Sequence, residues 1–277
     1  MLTLVPTPIG NVEDITLRAL RALSEAETVL CEDTRVAKKL YRMLEERHGL
    51  EPRPRRFVSL HSHNEADTVA NLPEEWFEGE VVYMSDAGMP CISDPGALLV
   101  RRCQERGIPY TVLPGPSAFV TAYAASGFAE PRFLFFGFLP HKGREREEAL
   151  RQALEQPWPV VLYEAPHRLE KLLKELKASA PERKIFAAKE LTKRHERYFH
   201  GTAEELLETI EGALAKGEWV LVIPPGPRKP GTEESVEEIL AMDLPPKQKA
   251  KRLAKATGRS VAECYDEIAG RGKSSGK

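Results

Sequence analysis

Residues 79–118 carry two apolar runs, each followed by a loop rich in glycine and proline, and this pattern constrains the fold more than any other. Val81–Met84 is followed by the loop of residues 85–90. The second run, Tyr110–Leu113, leads into the loop of residues 113–118. In an open α/β sheet, ligands bind at the carboxyl ends of the strands, where such loops expose backbone amides and carbonyls. The pattern therefore predicts that two adjacent loops face one crevice, which holds a small ligand with polar edges.

Two helix starts are predicted from capping chemistry. Asp94 is expected to cap a helix that Pro95 opens, because aspartate accepts from the free amides of a first turn and proline fits there. Asp14 is expected to cap an amphipathic helix over residues 15–23, whose apolar side chains are mostly three apart.

In the first half of the chain, short apolar runs alternate with amphipathic helices, and this rhythm predicts a mainly parallel sheet. The predicted strands of this half are Leu2–Val5, Thr28–Cys31, Phe57–Leu60, Val81–Met84 and Tyr110–Leu113. Further strands are predicted at 133–138, 160–163, 184–188 and 219–224, with helices near 143–155, 167–178 and 203–215. We expect an α/β protein with a mainly parallel domain at 1–117, a second α/β domain at 118–228 and a basic helical appendage at 229–277.

The appendage is separated from the rest by residues 226–231, whose glycine and proline content is typical of a linker. Acidic residues dominate 233–243, whereas residues 247–277 hold nine lysines and arginines. Basic helices of this kind contact RNA phosphates in some proteins and are merely solvated in others. The charge alone leaves both interpretations open.

Composition narrows the class of protein. Forty basic residues stand against 42 acidic ones, so the net charge of −2 creates no general attraction for a polyanion. The four cysteines are scattered without a CxxC pair, which argues against a zinc site and a disulfide framework and favours a reducing cytoplasm. Residues 1–5 enter a strand directly, and no apolar run approaches membrane-spanning length. We expect a cytoplasmic protein without a membrane segment.

Several catalytic signatures are missing from the sequence. GxSxG, a Walker lysine loop and HExxH are all absent, which removes the usual support for hydrolases and nucleotide triphosphatases. Residues 7–11 follow the first strand but lack the spaced glycines of a dinucleotide site. With two prolines, this loop offers carbonyls and apolar surface, which suit a neutral or cationic ligand better than a pyrophosphate. Taken by itself, the loop is better explained as an ordinary βα turn.

Polar clusters follow three of the predicted strands, at residues 32–35, 163–168 and 189–193. Singly, each is explained by a helix cap beside a solvated basic residue. Together they indicate a polar site at the sheet edge. His61 and His63 would share one face of a strand, but no carboxylate or cysteine stands at metal-ligand spacing nearby, so we expect no metal.

Seven motifs in order, TPIGNVEDITLRAL, EDTR, SDAGMPCISDPG, PGPSA, FLFFGFLP, YEAPHR and KELTK, resemble the ribosomal RNA small-subunit methyltransferase I family of the tetrapyrrole methylase superfamily. The resemblance runs from Leu2 to Thr202, and it is specific because the order and spacing of all seven agree. Two positions depart from the family pattern. Met89 replaces a usual threonine, and Cys91 follows Pro90 where glycine is more frequent, which puts one cofactor contact in doubt.

The resemblance implies two α/β/α domains with S-adenosylmethionine folded in the cleft between them. It also implies a homodimer that methylates the ribose 2′-hydroxyl of a decoding-centre cytidine in 16S rRNA, on the 30S subunit. The residues implied to bind the cofactor are Pro8, Gly10, Asp86, Ala87, Gly88, Ile92, Ser93, Ser117, Ala118, Tyr163 and Leu191.

Such a transfer mainly requires that the hydroxyl be aligned with the methyl group and that its proton be removed. The candidate general bases are Asp33, Glu164 and Glu190, because carboxylates at strand ends reach a cleft. Contacts to the substrate are expected from Glu32, Thr34, Arg35, His167, Arg168, Lys189 and Lys193. The arginines and lysines among them would neutralise phosphates around a looped-out nucleotide.

Two other functions stay open on the sequence. A methyltransferase acting on a tetrapyrrole precursor would have the same fold and cofactor but a carbon nucleophile. A noncatalytic RNA-assembly protein would keep S-adenosylmethionine only as a structural ligand. The strand-end polar clusters and the basic appendage favour RNA over a tetrapyrrole.

Overall fold

The computed structural model describes residues 1–51, 56–210, 212–226 and 236–274. The chain forms two compact units, residues 1–226 and residues 227–277. The first unit contains two five-stranded sheets, and the second contains helices. The predicted α/β class with C-terminal helices is confirmed.

The first sheet is entirely parallel, with the strand order β3-β2-β4-β1-β5. Its strands are β1 Leu2–Val5, β2 Thr28–Cys31, β3 Arg56–Ser59, β4 Val81–Met84 and β5 Tyr110–Val112. The helices that follow these strands are α1 Leu17–Glu25, α2 Thr34–His48, α3 Glu65–Asn71, α4 Ala97–Arg106 and α5 Ala118–Ser126. Because all five strands point the same way, their carboxyl ends meet at one edge, as the sequence predicted.

The second sheet is mixed, with the strand order β6-β7-β10-β8-β9. Its strands are β6 Leu134–Phe138, β7 Val160–Glu164, β8 Lys184–Lys189, β9 Arg197–Thr202 and β10 Trp219–Ile223. Its helices are α6 Gly143–Leu154, α7 Pro166–Ser179 and α8 Ala203–Thr209. Strand β10 runs antiparallel to both β7 and β8, so its amino end lies beside the carboxyl ends of those two strands.

Apolar side chains cover both faces of each sheet. In β1, Leu2 and Leu4 pack on one face of the first sheet and Val5 packs on the other, as expected from the two-residue period of a strand. Helix α5 follows the first sheet in sequence but packs on the second, where Ala122 lies among residues such as Val161. The loop before α5 therefore leads from one sheet to the other, and this loop carries part of the site.

The prediction that Asp94 caps a helix is wrong. Helix α4 begins at Ala97, and its N-cap residue is Gly96. The free amides of this helix start are bound instead by Glu65 of α3, whose Oε1 accepts from Gly96 N at 2.8 Å and from Leu98 N at 3.0 Å. Asp94 is therefore not used as a cap.

The prediction that Asp14 caps a helix is also wrong. Asp14 ends a short 3₁₀ helix, Val12–Asp14, and α1 begins three residues later. The hydroxyl of Thr16 caps α1 by accepting from Ala19 N at 3.1 Å. Asp33, in contrast, does cap α2, because its Oδ1 accepts from Arg35 N at 2.8 Å. This agrees with the helix-cap explanation of the cluster at residues 32–35.

Three other expectations are revised. The predicted helix at 203–215 ends at Thr209, and a 3₁₀ helix follows at Gly212–Ala215. His61 and His63 lie beyond the end of β3 and not within a strand. The sequence also missed β9, an edge strand in which Arg197, Tyr198 and His200 are exposed and only Gly201 is fully buried. An edge strand exposes much of its surface, so its apolar signal is weak.

The second unit contains α9 Val236–Ala241, α10 Pro246–Thr257 and α11 Val261–Ser274. Its small core is built from Ile239, Ala250, Leu253 and Cys264. Most of the predicted linker, residues 227–231, and the acidic residues Glu233 and Glu234 lie outside the described residues. Over the ranges that the structure describes, no helix combines the length and apolarity needed to cross a bilayer.

Candidate active site

The loops after β1 and β4 are joined by a pair of backbone hydrogen bonds. Thr7 N donates to Gly88 O at 2.9 Å, and Gly88 N donates to Thr7 O at 3.0 Å. The hydroxyl of Ser85 also donates to Gly88 O, at 3.2 Å. These bonds fix the glycine-containing turn at the edge of the first sheet.

The loop after β1 also contacts the loop after β8 in the second sheet. Asn11 N donates to the hydroxyl of Thr192 at 3.0 Å. Gly10 is packed so tightly there that an added Cβ would lie 2.4 Å from Lys193 Cγ and 2.8 Å from Leu191 O. Glycine at this position therefore allows the close approach of two loops.

Backbone strain is concentrated in the loops after β4 and β8. Cys91, Ser93, Glu190 and Thr192 have φ between 51° and 66°, the left-handed region that residues with a side chain rarely adopt. Among the described residues, these are the only ones other than glycine with positive φ. Such strain costs on the order of 1–3 kcal/mol per residue and is found mainly where a loop is held for function.

These loops surround a cavity of about 350 Å³, a size typical of small-molecule sites. Eight of the predicted cofactor residues line it, namely Ala87, Gly88, Ile92, Ser93, Ser117, Ala118, Tyr163 and Leu191. The predicted candidate base Glu164 lines it too. The expected crevice between the loops after β4 and β5 is therefore present.

The other predicted residues lie outside the cavity lining. For the cofactor these are Pro8, Gly10 and Asp86, and for the general base they are Asp33 and Glu190. None of the residues predicted to contact the substrate lines it: Glu32, Thr34, Arg35, His167, Arg168, Lys189 and Lys193. Several of these side chains instead form ion pairs with each other at the sheet edges, such as Arg35 with Asp33 and Lys193 with Glu190.

Four lining residues with a carboxyl or aromatic group were not assigned to the site from the sequence: Asp94, Phe138, Glu218 and Trp219. Asp94 was assigned to a helix cap, so its place at the cavity went unrecognised. Glu218 and Trp219 reach the cavity because β10 is antiparallel and brings its amino end there. An apolar run in the sequence does not reveal the direction of its strand, so this placement of β10 could not be predicted. Phe138 belongs to the FLFFGF motif, which the sequence analysis used for the family resemblance but not for the site.

Asp94 has the most perturbed carboxyl group at the cavity. Burial raises the pKa of Asp94 to about 7, and repulsion from Glu32 and Asp86 adds to this effect. Within the described part of the chain, no lysine or arginine forms an ion pair with Asp94. A carboxyl group with such a pKa takes up and releases protons near neutral pH.

Glu164 lies at the same cavity but is held by two arginines. Its Oε2 lies 3.3 Å from Arg146 Nη2, and its Oε1 lies 2.9 Å from Arg168 Nε without hydrogen-bond alignment. Arg146 is 1% exposed and also binds Glu175 at 2.8 Å. Arg168 also donates to the carbonyl of Leu139. Glu164 therefore stabilises the loops around β6 and β7.

The polar cluster after β2 connects to the turn after β4. Asp86 Oδ1 accepts from Asp33 N at 3.2 Å, and Asp86 N donates to Glu32 Oε1 at 3.3 Å. The side chain of Arg35 binds Asp33 and lowers the pKa of that carboxyl to about 2. Burial is the main cause that raises the pKa of Glu32 and of Asp86.

Glu190 belongs to a separate cluster after β8. Its Oε1 lies 3.0 Å from Lys193 Nζ and accepts from Glu218 N at 2.9 Å. Burial acts to raise the pKa of Glu190, but the Glu218 amide and the Lys193 ammonium outweigh it, so that the pKa is lowered. Lys189 is almost fully buried nearby. This carboxylate holds the strained loop.

The chemistry of the lining favours an uncharged or cationic ligand. It includes the carboxyl groups of Asp94, Glu164 and Glu218, and it has no lysine, arginine or histidine among the described residues. The carboxylates would repel a phosphate-rich ligand, which agrees with the prediction from the turn after β1. The small side chains at residues 87–88 and 117–118 allow a ligand to approach the backbone closely. In the described ranges, no three histidine, cysteine, aspartate or glutamate side chains are grouped as a metal site.

Comparisons with known proteins agree with this geometry. Residues 1–207 match the family model described as tetrapyrrole (corrin/porphyrin) methylases. Ribosomal RNA small subunit methyltransferase I of Campylobacter fetus subsp. fetus is 43% identical, and the match covers 97% of this chain and 99% of that relative. The protein of the same name from Helicobacter pylori is 42% identical, with 96% of each chain covered.

Solved structures share the fold at low sequence identity. Uroporphyrin-III C-methyl transferase from Thermus thermophilus, in a complex with S-adenosyl homocysteine, has a TM-score of 0.55 and 20% identity, covering 80% of this chain and 96% of that one. Diphthine synthase has a TM-score of 0.63 and 16% identity, covering 96% and 98%. Because the curated relatives are similar over nearly their full length, this chain belongs to the tetrapyrrole methylase family and, within it, to the ribosomal RNA small subunit methyltransferase I group.

Proposed function

We propose that this protein methylates the ribose 2′-hydroxyl of a decoding-centre cytidine in 16S rRNA, within the 30S subunit. As a member of its family it is a methyltransferase, and S-adenosylmethionine is its cofactor. The observation that carries the proposal is Asp94, a carboxyl group with a pKa of about 7 at the cavity of a chain that matches rRNA methyltransferases along nearly its whole length.

The volume of the cavity and the residues that line it support S-adenosylmethionine as its ligand. When bound, S-adenosylmethionine supplies an electrophilic methyl group next to a positively charged sulfur. The carboxylates of the lining attract such a cation, and the walls formed by Ile9, Leu191 and Val220 offer apolar contact to its adenine. We assign cofactor contacts to the eight predicted residues that line the cavity. Pro8, Gly10 and Asp86 lie outside the lining, and we propose that they stabilise the loops that form it.

Asp94 is the proposed general base. It accepts the proton of the ribose hydroxyl at a carboxylate oxygen, and a pKa near the working pH suits this task. Glu164 is bound to two arginines, Glu190 is bound to Lys193, and Asp33 is bound to Arg35. Their partners lower the pKa of Asp33 and of Glu190, which makes these two carboxylates poor proton acceptors. Both oxygens of Glu164 lie against arginines, so this carboxyl group is occupied in the structure.

RNA contacts are proposed for the polar residues around the cavity. Arg35 pairs with Asp33 but has a side chain 89% exposed, and His167 is also exposed, so both are accessible to phosphates. Thr34 and Glu32 lie beside Arg35 at the end of β2. The other three basic residues are not exposed in this way: Arg168 pairs with Glu164, Lys193 pairs with Glu218, and Lys189 is buried. We propose that they position loops that contact the RNA. The working form proposed is a cytoplasmic homodimer.

The test incubates purified protein and methyl-labelled S-adenosylmethionine with three acceptors: 30S subunits from cells that lack this activity, the same RNA stripped of protein, and a tetrapyrrole precursor. We expect label in 30S RNA at a single cytidine ribose, and loss of that label with Asp94→Asn. Alkaline hydrolysis locates the label, because a 2′-O-methyl group protects the adjacent phosphodiester.

The other acceptors test the alternatives. Label confined to the tetrapyrrole would contradict the proposal and support a precursor methyltransferase. Tight S-adenosylmethionine binding and RNA binding without transfer to any acceptor would instead support a noncatalytic assembly protein. Label on naked RNA as well as on 30S subunits would keep the reaction but remove the requirement for the assembled subunit.

A further inference from the structure

Phe138 is an exposed aromatic residue in the wall of the cavity. It lines the cavity while 53% of its surface is exposed. Its strand neighbours Phe135 and Phe136 are both packed against the core clusters of the second sheet. A large apolar side chain at a cavity mouth, left uncovered while its neighbours are packed, is available to a ligand.

A β-bulge sets the direction of this side chain. In the pairing of β6 with β7, Phe135 is opposite Val161 and Gly137 is opposite Leu162, so one extra residue is inserted between them. Gly137 has a φ of 72°, which glycine adopts without strain. Bulges of this type redirect side chains next to functional sites. Here the bulge also brings Gly137 to the loop of Asp94, since its Cβ position lies 3.6 Å from Ser93 Oγ.

The Phe138 ring is held in place without being covered. Tyr163 meets it in a T-shaped contact, with 5.5 Å between ring centroids and an angle of 62°. Tyr163 is itself fixed, because its hydroxyl accepts from Phe119 N at 3.2 Å and its ring contacts Phe135 in a second T-shaped contact. The support comes from one side, and the exposed surface of Phe138 is free to stack.

We propose that Phe138 is the platform on which the base of the acceptor nucleotide stacks when that nucleotide is looped out. This inference rests on the proposed function, since it needs an RNA acceptor. Single-stranded bases are bound mainly by stacking on aromatic side chains, and a looped-out base has a free face. Ile92, which also lines the cavity and is 38% exposed, provides a second apolar surface. Stacking here places the ribose near the loop that carries Asp94.

Exposed aromatic residues are common, so the proposal depends on the position of Phe138 and not on exposure alone. Tyr198 in β9 is 50% exposed, but it packs on Phe186 at 5.6 Å and is not part of the cavity lining. It matches Phe138 in size, exposure and location on a strand of the same sheet. Tyr198→Ala is therefore the control variant.

The experiment measures methyl transfer to 30S subunits by the full-length protein with Phe138→Ala, Phe138→Leu and Phe138→Trp. For Phe138→Ala we expect KM for the 30S subunit to rise about 5- to 150-fold, the range that corresponds to the loss of one stacked base. Phe138→Trp should stay close to wild type, because it keeps a stacking face. Phe138→Leu should fall between these two, and Tyr198→Ala should match wild type.

A separate titration with S-adenosylmethionine alone distinguishes the base of the RNA from the adenine of the cofactor. The proposal expects its Kd to be unchanged by Phe138→Ala. A weakened Kd, full recovery by Phe138→Leu, or an unchanged KM with Phe138→Ala would each overturn the stacking platform while the wild type still methylates RNA. A wild-type protein that labels no RNA would overturn the proposed function itself, and the platform with it.

Discussion

Asp94 and Glu164 are two carboxyl groups at one cavity, but their surroundings differ. Asp94 follows β4 in the first sheet, where burial and repulsion from Glu32 and Asp86 outweigh a hydrogen bond with Ser85 and raise its pKa to about 7. Glu164 ends β7 in the second sheet, is 2% exposed, and lies between Arg146 and Arg168. A buried charge without a partner is costly, whereas a paired one is tolerated. Under the proposed function Asp94 acts as the general base, whereas Glu164 links β7 to the two arginines.

The largest effect is expected from Asp94→Asn. This change keeps the shape of the side chain but removes the proton acceptor, so kcat should fall about 10²- to 10⁴-fold, the usual contribution of a general base. Single-turnover assays with labelled S-adenosylmethionine and 30S subunits measure it. Asp33→Asn is the control and should retain activity within a few-fold. Normal turnover by Asp94→Asn would show that Asp94 is not the general base.

The next effect concerns stability. Arg146→Met should lower the free energy of unfolding by about 3–5 kcal/mol, because it removes a buried partner of Glu164 and Glu175. Urea denaturation measures it. Arg151→Met is a matched control on the same helix, where the arginine is exposed and pairs with Glu148. Equal stability of the two variants would show that the buried network is dispensable.

The pH dependence of the reaction gives a third test. Since Asp94 must be deprotonated to accept a proton and its pKa is about 7, kcat/KM should fall roughly tenfold for each pH unit below about 7. The residual activity of Asp94→Asn should lack this dependence. A rate that stays constant from pH 5 to 8 would assign proton removal to another group.

A smaller effect is expected on stability as a function of pH. The pKa of Asp94 is raised above its unfolded value, so its contribution favours the folded state at low pH and is lost as pH rises through about 7. Asp94→Asn should therefore gain stability relative to wild type as pH is raised from 4 to 8. Thermal melts across this range measure the difference, and a constant difference would contradict the raised pKa.

The smallest effect is expected at the exposed pair of Arg35 and Asp33. Arg35→Gln should leave the free energy of unfolding unchanged within error, because exposed ion pairs contribute little. If Arg35 contacts rRNA, the same variant should still weaken binding to 30S subunits and reduce its salt dependence. Unchanged RNA binding would remove Arg35 from the proposed interface.

Much of the fold was predictable from local patterns. The apolar runs at Val81–Met84 and the other predicted strands form strands within one or two residues of the expected ends. The loops after β4 and β5 line one cavity, because carboxyl ends of parallel strands meet at one edge. Sequence motifs also led to the family that the comparisons confirm.

The contacts of the site residues were predicted less well, because they depend on which groups meet across the fold. Asp94 resembled a helix cap until Glu65 of α3 proved to bind the amides of α4. Glu164 resembled a free base, but Arg146 lies 18 positions away in sequence and reaches it only in the folded sheet. Residue type and spacing carry no information about such partners.

The sequence by itself determined the α/β class, most of the strands, the glycine and proline loops and the family, since each depends on short-range periodicity or on motif order. Only the tertiary structure decided which carboxyl group faces the cavity unpaired, which strands run antiparallel, and where Phe138 points. The physical reason is that a pKa, a strand direction and a side chain's exposure are set by atoms distant in the chain, through burial and charge at distances of a few ångströms.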